Sequence, residues 1–283
     1  MADAKQLPPP AAEADDELKG SEAPLLDHLI ELRKRLIYSV IAIAVIFVGC
    51  FAFAQPIYNI LTLPFVWAAG GVENVQMITT SPQEQFFTNM NVALFGALFI
   101  GFPFIATQIY GFVAPGLYKK ERKAFIPYLI ATPLFFIAGA AMVFFVVGPM
   151  ALHFFLGMQQ LGDGQVQIEL QTRVSEYLGF IMTLIFAFGI CFQLPVVLTL
   201  LASIELVNVQ MLGKGRRYAI VIILALAAFL TPPDPISQIG LSLPMYALYE
   251  LSILSVRLVE RRRAAKLAAQ AAADAQSGSS SAA

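Results

Sequence analysis

Few residues able to carry chemistry occur in this sequence. Histidine and cysteine appear twice each, tryptophan once, and only 13% of the 283 residues are charged. His28 and His153 lie far apart, and although His28 and Glu31 stand three residues apart, two ligands without a third make a weak metal site. There is no G-x-S-x-G elbow, no H-E-x-x-H pair and no phosphate-binding loop with its lysine. These absences argue against an intramembrane hydrolase or transferase, and neither a cofactor nor a metal is expected. Cys50 and Cys191 both sit inside apolar runs and read as packing residues, not as a disulfide. The first twenty residues lack a basic start followed by an apolar core, so no cleavable signal peptide is expected there. Residues 1–23, with Pro8-Pro9-Pro10 and Asp15-Asp16-Glu17, read as a disordered cytoplasmic tail. Residues 258–283 read as a second tail, helical through Arg261–Lys266 and then low in complexity.

Apolar residues are abundant, at 58% against the roughly 45–50% of soluble domains, which points to an all-α polytopic membrane protein. Six segments are apolar enough to span: 36–54, 86–111, 125–149, 175–203, 207–230 and 235–256. The fifth is short. Only thirteen residues separate Arg217 from Thr231, or about 20 Å of helix at ~1.5 Å per residue. Either the bilayer thins there or basic side chains snorkel. Of eighteen Lys and Arg, all but Arg173 fall on one side of this topology, which makes that side and both termini cytoplasmic. The opposite loop, 55–85, is itself apolar, with Tyr58, Phe65 and Trp67 suited to an interfacial cap and Gly70-Gly71 to a turn.

Two charged stretches on the cytoplasmic side hold a lone carboxylate among cations. In PLLDHLIELRKRL (24–36), Leu25, Leu29, Leu32 and Leu36 recur at helical spacing, a face suited to docking a short cytoplasmic helix onto the first span. Glu31 is flanked there by Arg33, Lys34 and Arg35. In FVAPGLYKKERKAF (112–125), Pro115 and Gly116 break the second span and Glu121 follows. Each glutamate alone reads as helix pairing or charge balance on a solvated turn. Together on one face they also suit gripping guanidinium groups, because carboxylates bind arginine bidentately.

These two motifs, PGLYKKER at 115–122, the short fifth span and TPPDPISQ at 231–238 resemble, in order, the TatC family, the multispanning core of the twin-arginine protein translocase. The resemblance runs from about Pro24 to Arg257. It implies six spans in a curved, cup-like bundle with cytoplasmic termini. It also implies a receptor that binds twin-arginine signal peptides of folded cargo. With single-span TatA and TatB and further copies of itself in the bacterial inner membrane, such a receptor supports export driven by the proton-motive force. The family's signal-binding carboxylates match Glu31 and Glu121. His28, Leu32 and Arg33 fall in the same N-terminal motif, and Phe112, Pro115, Leu117, Tyr118 and Arg122 in the same first cytoplasmic loop. No nucleic-acid partner is expected.

Polar residues inside the apolar segments are functional candidates. Gln193, before Pro195, stands where the family often has glutamate, so it offers hydrogen bonds but no transferable proton. The resemblance implies contact with a partner helix there, against an ordinary hydrogen bond within the chain. Asp234 and Gln238 stand at a corner the family uses for partner contacts, although Asp234 and Ser237 also suit helix capping. Glu250 is near enough to the inner surface to snorkel or to pair with Arg257, and Glu84 reads as a structural acid at the start of the second span. A six-span secondary transporter of a small solute is the alternative. That class expects charged or discontinuous groups at midplane, and these spans hold little beyond Gln193.

Overall fold

The computed structural model describes residues 11–113, 126–159, 171–230 and 235–281. Helix α1 spans Ala11–Ala52 without interruption, so helix runs back into the segment expected to be a tail. The leucine face was expected to fold a separate short helix onto the first span, and this is corrected. Leu29, Leu32 and Leu36 are exposed on a helix that enters the apolar segment directly. Leu, Glu, Arg and Lys are all strong helix formers, so nothing between the charged and apolar parts breaks the backbone.

α1 stops at Phe53 and the chain turns at once into α2, Ala54–Ala68. Leu61, Pro64 and Phe65 of α2 are buried, and the indole of Trp67 meets Phe144 edge-on at 5.4 Å and stacks on Phe145 at 5.8 Å. Residues 55–68 of the apolar loop are therefore a packed helix. α2 ends where Gly70 and Gly71 adopt φ of 77° and 152°, backbone that side chains resist. Strand β1, Met77–Ile78, then pairs in parallel with β2, Thr172–Arg173. Glu84 fastens the same end: one oxygen accepts from Ser175 Oγ at 2.5 Å, the other from Thr80 N at 2.8 Å and Thr80 Oγ1 at 3.0 Å. The expectation of a structural role for Glu84 matches this clasp.

α3, Pro82–Val113, packs along α1. α4, Ile126–Met142, continues through a π-helical turn, Val143–Val147, into α5, Gly148–Leu156. α6, Val174–Cys191, and α7, Leu194–Ser203, form one rod broken at Phe192–Gln193, where Pro195 has no N–H to continue the ladder. The core lies where α3, α4 and α6 meet, around Val92, Phe136, Val143, Leu178, Ile181, Leu184 and Phe188. α4 and α6 approach closely: a Cβ on Gly139 would lie 2.7 Å from the carbonyl oxygen of Phe188. Small residues at such crossings let backbones touch where apolar lipid supplies no hydrophobic drive.

α8, Val209–Leu230, and α9, Pro235–Ser281, form the remaining pair. Leu241, Met245, Tyr249, Ile253 and Val256 make a buried stripe at helical spacing on α9. Among the described residues, five stretches are long and apolar enough to cross a membrane: His28–Ala52, Pro82–Phe112, Pro127–Leu156, Val174–Ser203 and Gln238–Gln270. α8 falls short of that measure, because Lys214, Arg216 and Arg217 occupy its early turns. Polar bonds hold it to α9 instead. Tyr249 Oη donates to Leu212 O at 2.8 Å, Arg216 pairs with Glu250 at 2.8 Å, Gln238 Nε2 donates to Leu224 O at 3.1 Å, and Glu260 accepts from Val209 N at 2.9 Å. Glu250 thus reaches across to α8 and not along its own helix to Arg257, and its other oxygen accepts from Tyr246 at 2.9 Å.

Candidate functional site

The N-terminal charged motif and the end of α3 form one small surface. His28 stacks on Phe112, with ring centroids 4.1 Å apart and planes 20° from parallel. One turn further along α1, Glu31 meets Arg35: Nε and Nη2 both donate to Oε1, at 3.0 and 2.5 Å. Helical geometry brings residues four apart onto one face, with the acid N-terminal to the base, the better order. The guanidinium of Arg35 then lies against Gly111, where a Cβ would come within 2.9 Å of Cζ. Ser39 Oγ closes the turn by donating to Arg35 O at 3.0 Å.

The neighbouring cations diverge. Lys34 reaches toward the face of Tyr38, 5.9 Å from its centroid, and Arg33 and Leu32 are exposed. Glu31 and Arg35 are both partly covered, with about a third and a quarter of their side chains exposed. Among the described residues, Oε2 of Glu31 has no hydrogen-bond partner. The surface therefore offers one carboxylate oxygen beside an aromatic wall, with a resident guanidinium on the other oxygen. Such a surface can accept a hydrogen bond from an incoming N–H donor.

Of the residues named from the sequence, His28 stacks on Phe112, and Glu31 stands one turn further along the same helix. Pro115, Leu117, Tyr118, Glu121 and Arg122 lie outside the described residues, as does Asp234. Glu121 follows the last residue of α3, Val113, by eight positions. Gly111 was missed: nothing local distinguishes it, since its role appears only when α1 crosses α3.

A second polar group sits deep in the apolar part. Gln193 Nε2 donates to Thr132 O at 2.9 Å and, at 3.5 Å, to Gly189 O. Both partners are carbonyl oxygens, so the amide's orientation follows from chemistry. Its Oε1 is buried and has no partner. Thr132 Oγ1 also bonds Tyr128 O and Tyr110 Oη, each at 2.9 Å, linking α3 and α4 to the break in the α6–α7 rod. Tyr110 and Thr132 carried no sequence signal for this role. Gln238 belongs to a separate setting, bridging α9 to α8.

The family model for the Sec-independent protein translocase protein (TatC) matches residues 27–244. The chain is similar to the Sec-independent protein translocase protein TatC of Magnetococcus marinus, 42% identical over 251 residues, which cover 89% of this chain and 90% of that protein. It is similar to the protein of that name from Escherichia coli K12, at 36% identity over 83% of this chain and 88% of the relative. Among solved structures, the crystal structure of the twin arginine translocase receptor TatC superposes with a TM-score of 0.72 at 36% identity. It covers 82% of this chain and 99% of that one.

Proposed function

The chain belongs to the TatC family of Sec-independent protein translocases, and from that premise we propose that it is the receptor for twin-arginine signal peptides of folded cargo. The observation that carries the reading is the placement of Glu31. Its free oxygen lies beside the His28–Phe112 wall, at the end of α3 that leads into the Glu121 segment. Glu121 holds one signal arginine as its main partner and Glu31 completes the site, with Leu32, Arg33, Pro115, Leu117, Tyr118 and Arg122 around them. Both termini are cytoplasmic, and α8 makes a sixth, short crossing of a curved bundle in the bacterial inner membrane. Residues 1–23 and 258–283 are the cytoplasmic tails.

Gln193, Asp234 and Gln238 meet the helices of TatA and TatB, and further copies of the chain join a larger complex that uses the proton-motive force. Cargo export is not catalysed by a chemical centre in this chain. Site-specific crosslinking tests the assignment: probes at positions 31 and 121 label a signal peptide and a probe at 193 labels a partner helix. Charge reversal, Glu121→Lys, abolishes signal-peptide binding and export. Intact binding and export in that variant would sink the assignment.

A further inference from the structure

The pairing of Glu31 with Arg35 has a consequence for what the site selects. Both donors of Arg35 fall on the same oxygen, Oε1, leaving Oε2 as the single free acceptor. A forked guanidinium–carboxylate bond needs both oxygens. Glu31 is therefore unable to give an incoming arginine the full bidentate grip while Arg35 is in place. The pair is also close to neutral as a unit, so a passing cation finds little net field there.

Arg35 is not a loose surface partner. Its guanidinium occupies the space over Gly111, which only a residue without Cβ leaves open, and its side chain is about three-quarters covered. Lys34 stands toward Tyr38 and Arg33 is exposed, so neither shares this oxygen.

We infer that Arg35, seated on Gly111 and bound to Glu31 Oε1, is a specificity-determining residue that makes the site discriminate arginine from lysine. The inference rests on Glu31 being part of the signal receptor. A lysine ammonium is a point donor, and against the neutral pair it gains one bond and little charge attraction. An arginine can place two N–H donors on the one free oxygen, Oε2, as Arg35 itself does on Oε1, so it keeps its advantage. With Arg35 gone, Glu31 becomes an uncompensated carboxylate that takes either cation.

The test uses the full-length protein in nanodiscs and a fluorescent signal peptide bearing Arg-Arg, beside its Lys-Lys counterpart. In Arg35→Gln the Lys-Lys peptide binds about tenfold more tightly and the preference for Arg-Arg falls by a similar factor, the scale of one charge-assisted bond. Gly111→Ala, which keeps the charge but displaces the guanidinium, shifts the preference in the same direction. In an Glu31→Gln background the Arg35→Gln change has no further effect on the preference. Parallel weakening of both peptides, or an unchanged preference in both variants, overturns the inference and leaves the receptor assignment standing when Glu31→Gln alone weakens Arg-Arg binding. Arg-Arg binding untouched by Glu31→Gln removes Glu31 from the signal site and overturns the inference with it, while the receptor assignment is decided separately by Glu121→Lys.

Discussion

At the scale of single residues, Gln193 shows how a buried polar group is divided. Its nitrogen is spent on carbonyls and its oxygen is orphaned. Leaving a buried acceptor unmade costs about 1–3 kcal/mol, while a typical internal hydrogen bond contributes only ~1 kcal/mol. Gln193→Leu removes both terms and is expected to change unfolding free energy by less than about 1 kcal/mol. Gln193→Glu either turns a charged acceptor toward Thr132 O or must be protonated at a cost to fit there, and is expected to destabilise clearly more. Thermal unfolding of both variants in the same detergent checks the order, and a Glu variant as stable as the Leu variant refutes it. The glutamine itself was legible in the sequence as a polar residue in an apolar run. Its partner was not, because Thr132 lies 61 positions away and contributes a backbone oxygen that no side-chain pattern announces. Glu31 and Arg35 were legible as an i,i+4 pair for the opposite reason, since helical spacing alone decides that contact.

Helices fix where those residues stand, and the packing of α4 on α6 is the least forgiving contact. Gly139 faces the backbone of Phe188, and Gly189 faces the ring of Phe136. The Phe136 ring can shift only at the cost of its stacking on Phe102, whereas a carbonyl in a helix has nowhere to go. Gly139→Ala is therefore expected to destabilise by about 1–3 kcal/mol, the usual cost of overpacking, and Gly189→Ala by less. Chemical or thermal denaturation of the two variants, compared side by side, reads the difference. The apolar runs made most helices legible, because helices spanning a bilayer must be long and apolar. The continuity of α1 was not, since its change from charged to apolar marks a change of surroundings and not of backbone geometry. The bonds from α8 to α9 were equally hidden. Glu250 finds Arg216 across a helix crossing, 34 positions away, in preference to Arg257 on its own helix.

For the whole molecule, the charge distribution and the structure make compatible demands. α2, the β1–β2 pair and the Glu84 clasp gather at one end, and the Glu31 surface lies where α1 and α3 meet at their other ends. Under the proposed orientation, with the cation-rich side inside, a cysteine at Gln159 labels with an impermeant maleimide in intact cells. One at Asn208 labels only after permeabilisation, both in a background where Cys50 and Cys191 are alanine. The reverse pattern would invert the topology.

α1 adds a consequence of its own. Only 11% of its most apolar window is buried within the protein, against 33–39% for the other four candidate crossings, and α3 is its principal protein neighbour. Most of its apolar flank is left uncovered by the protein, so in a membrane acyl chains would pack against it and help set its tilt. A change in membrane thickness that tips α1 would also move Glu31 relative to the end of α3. The receptor's affinity for its signal is thus a property of the protein together with its lipid annulus, and titration in nanodiscs of short-chain and long-chain lipids should give two different values.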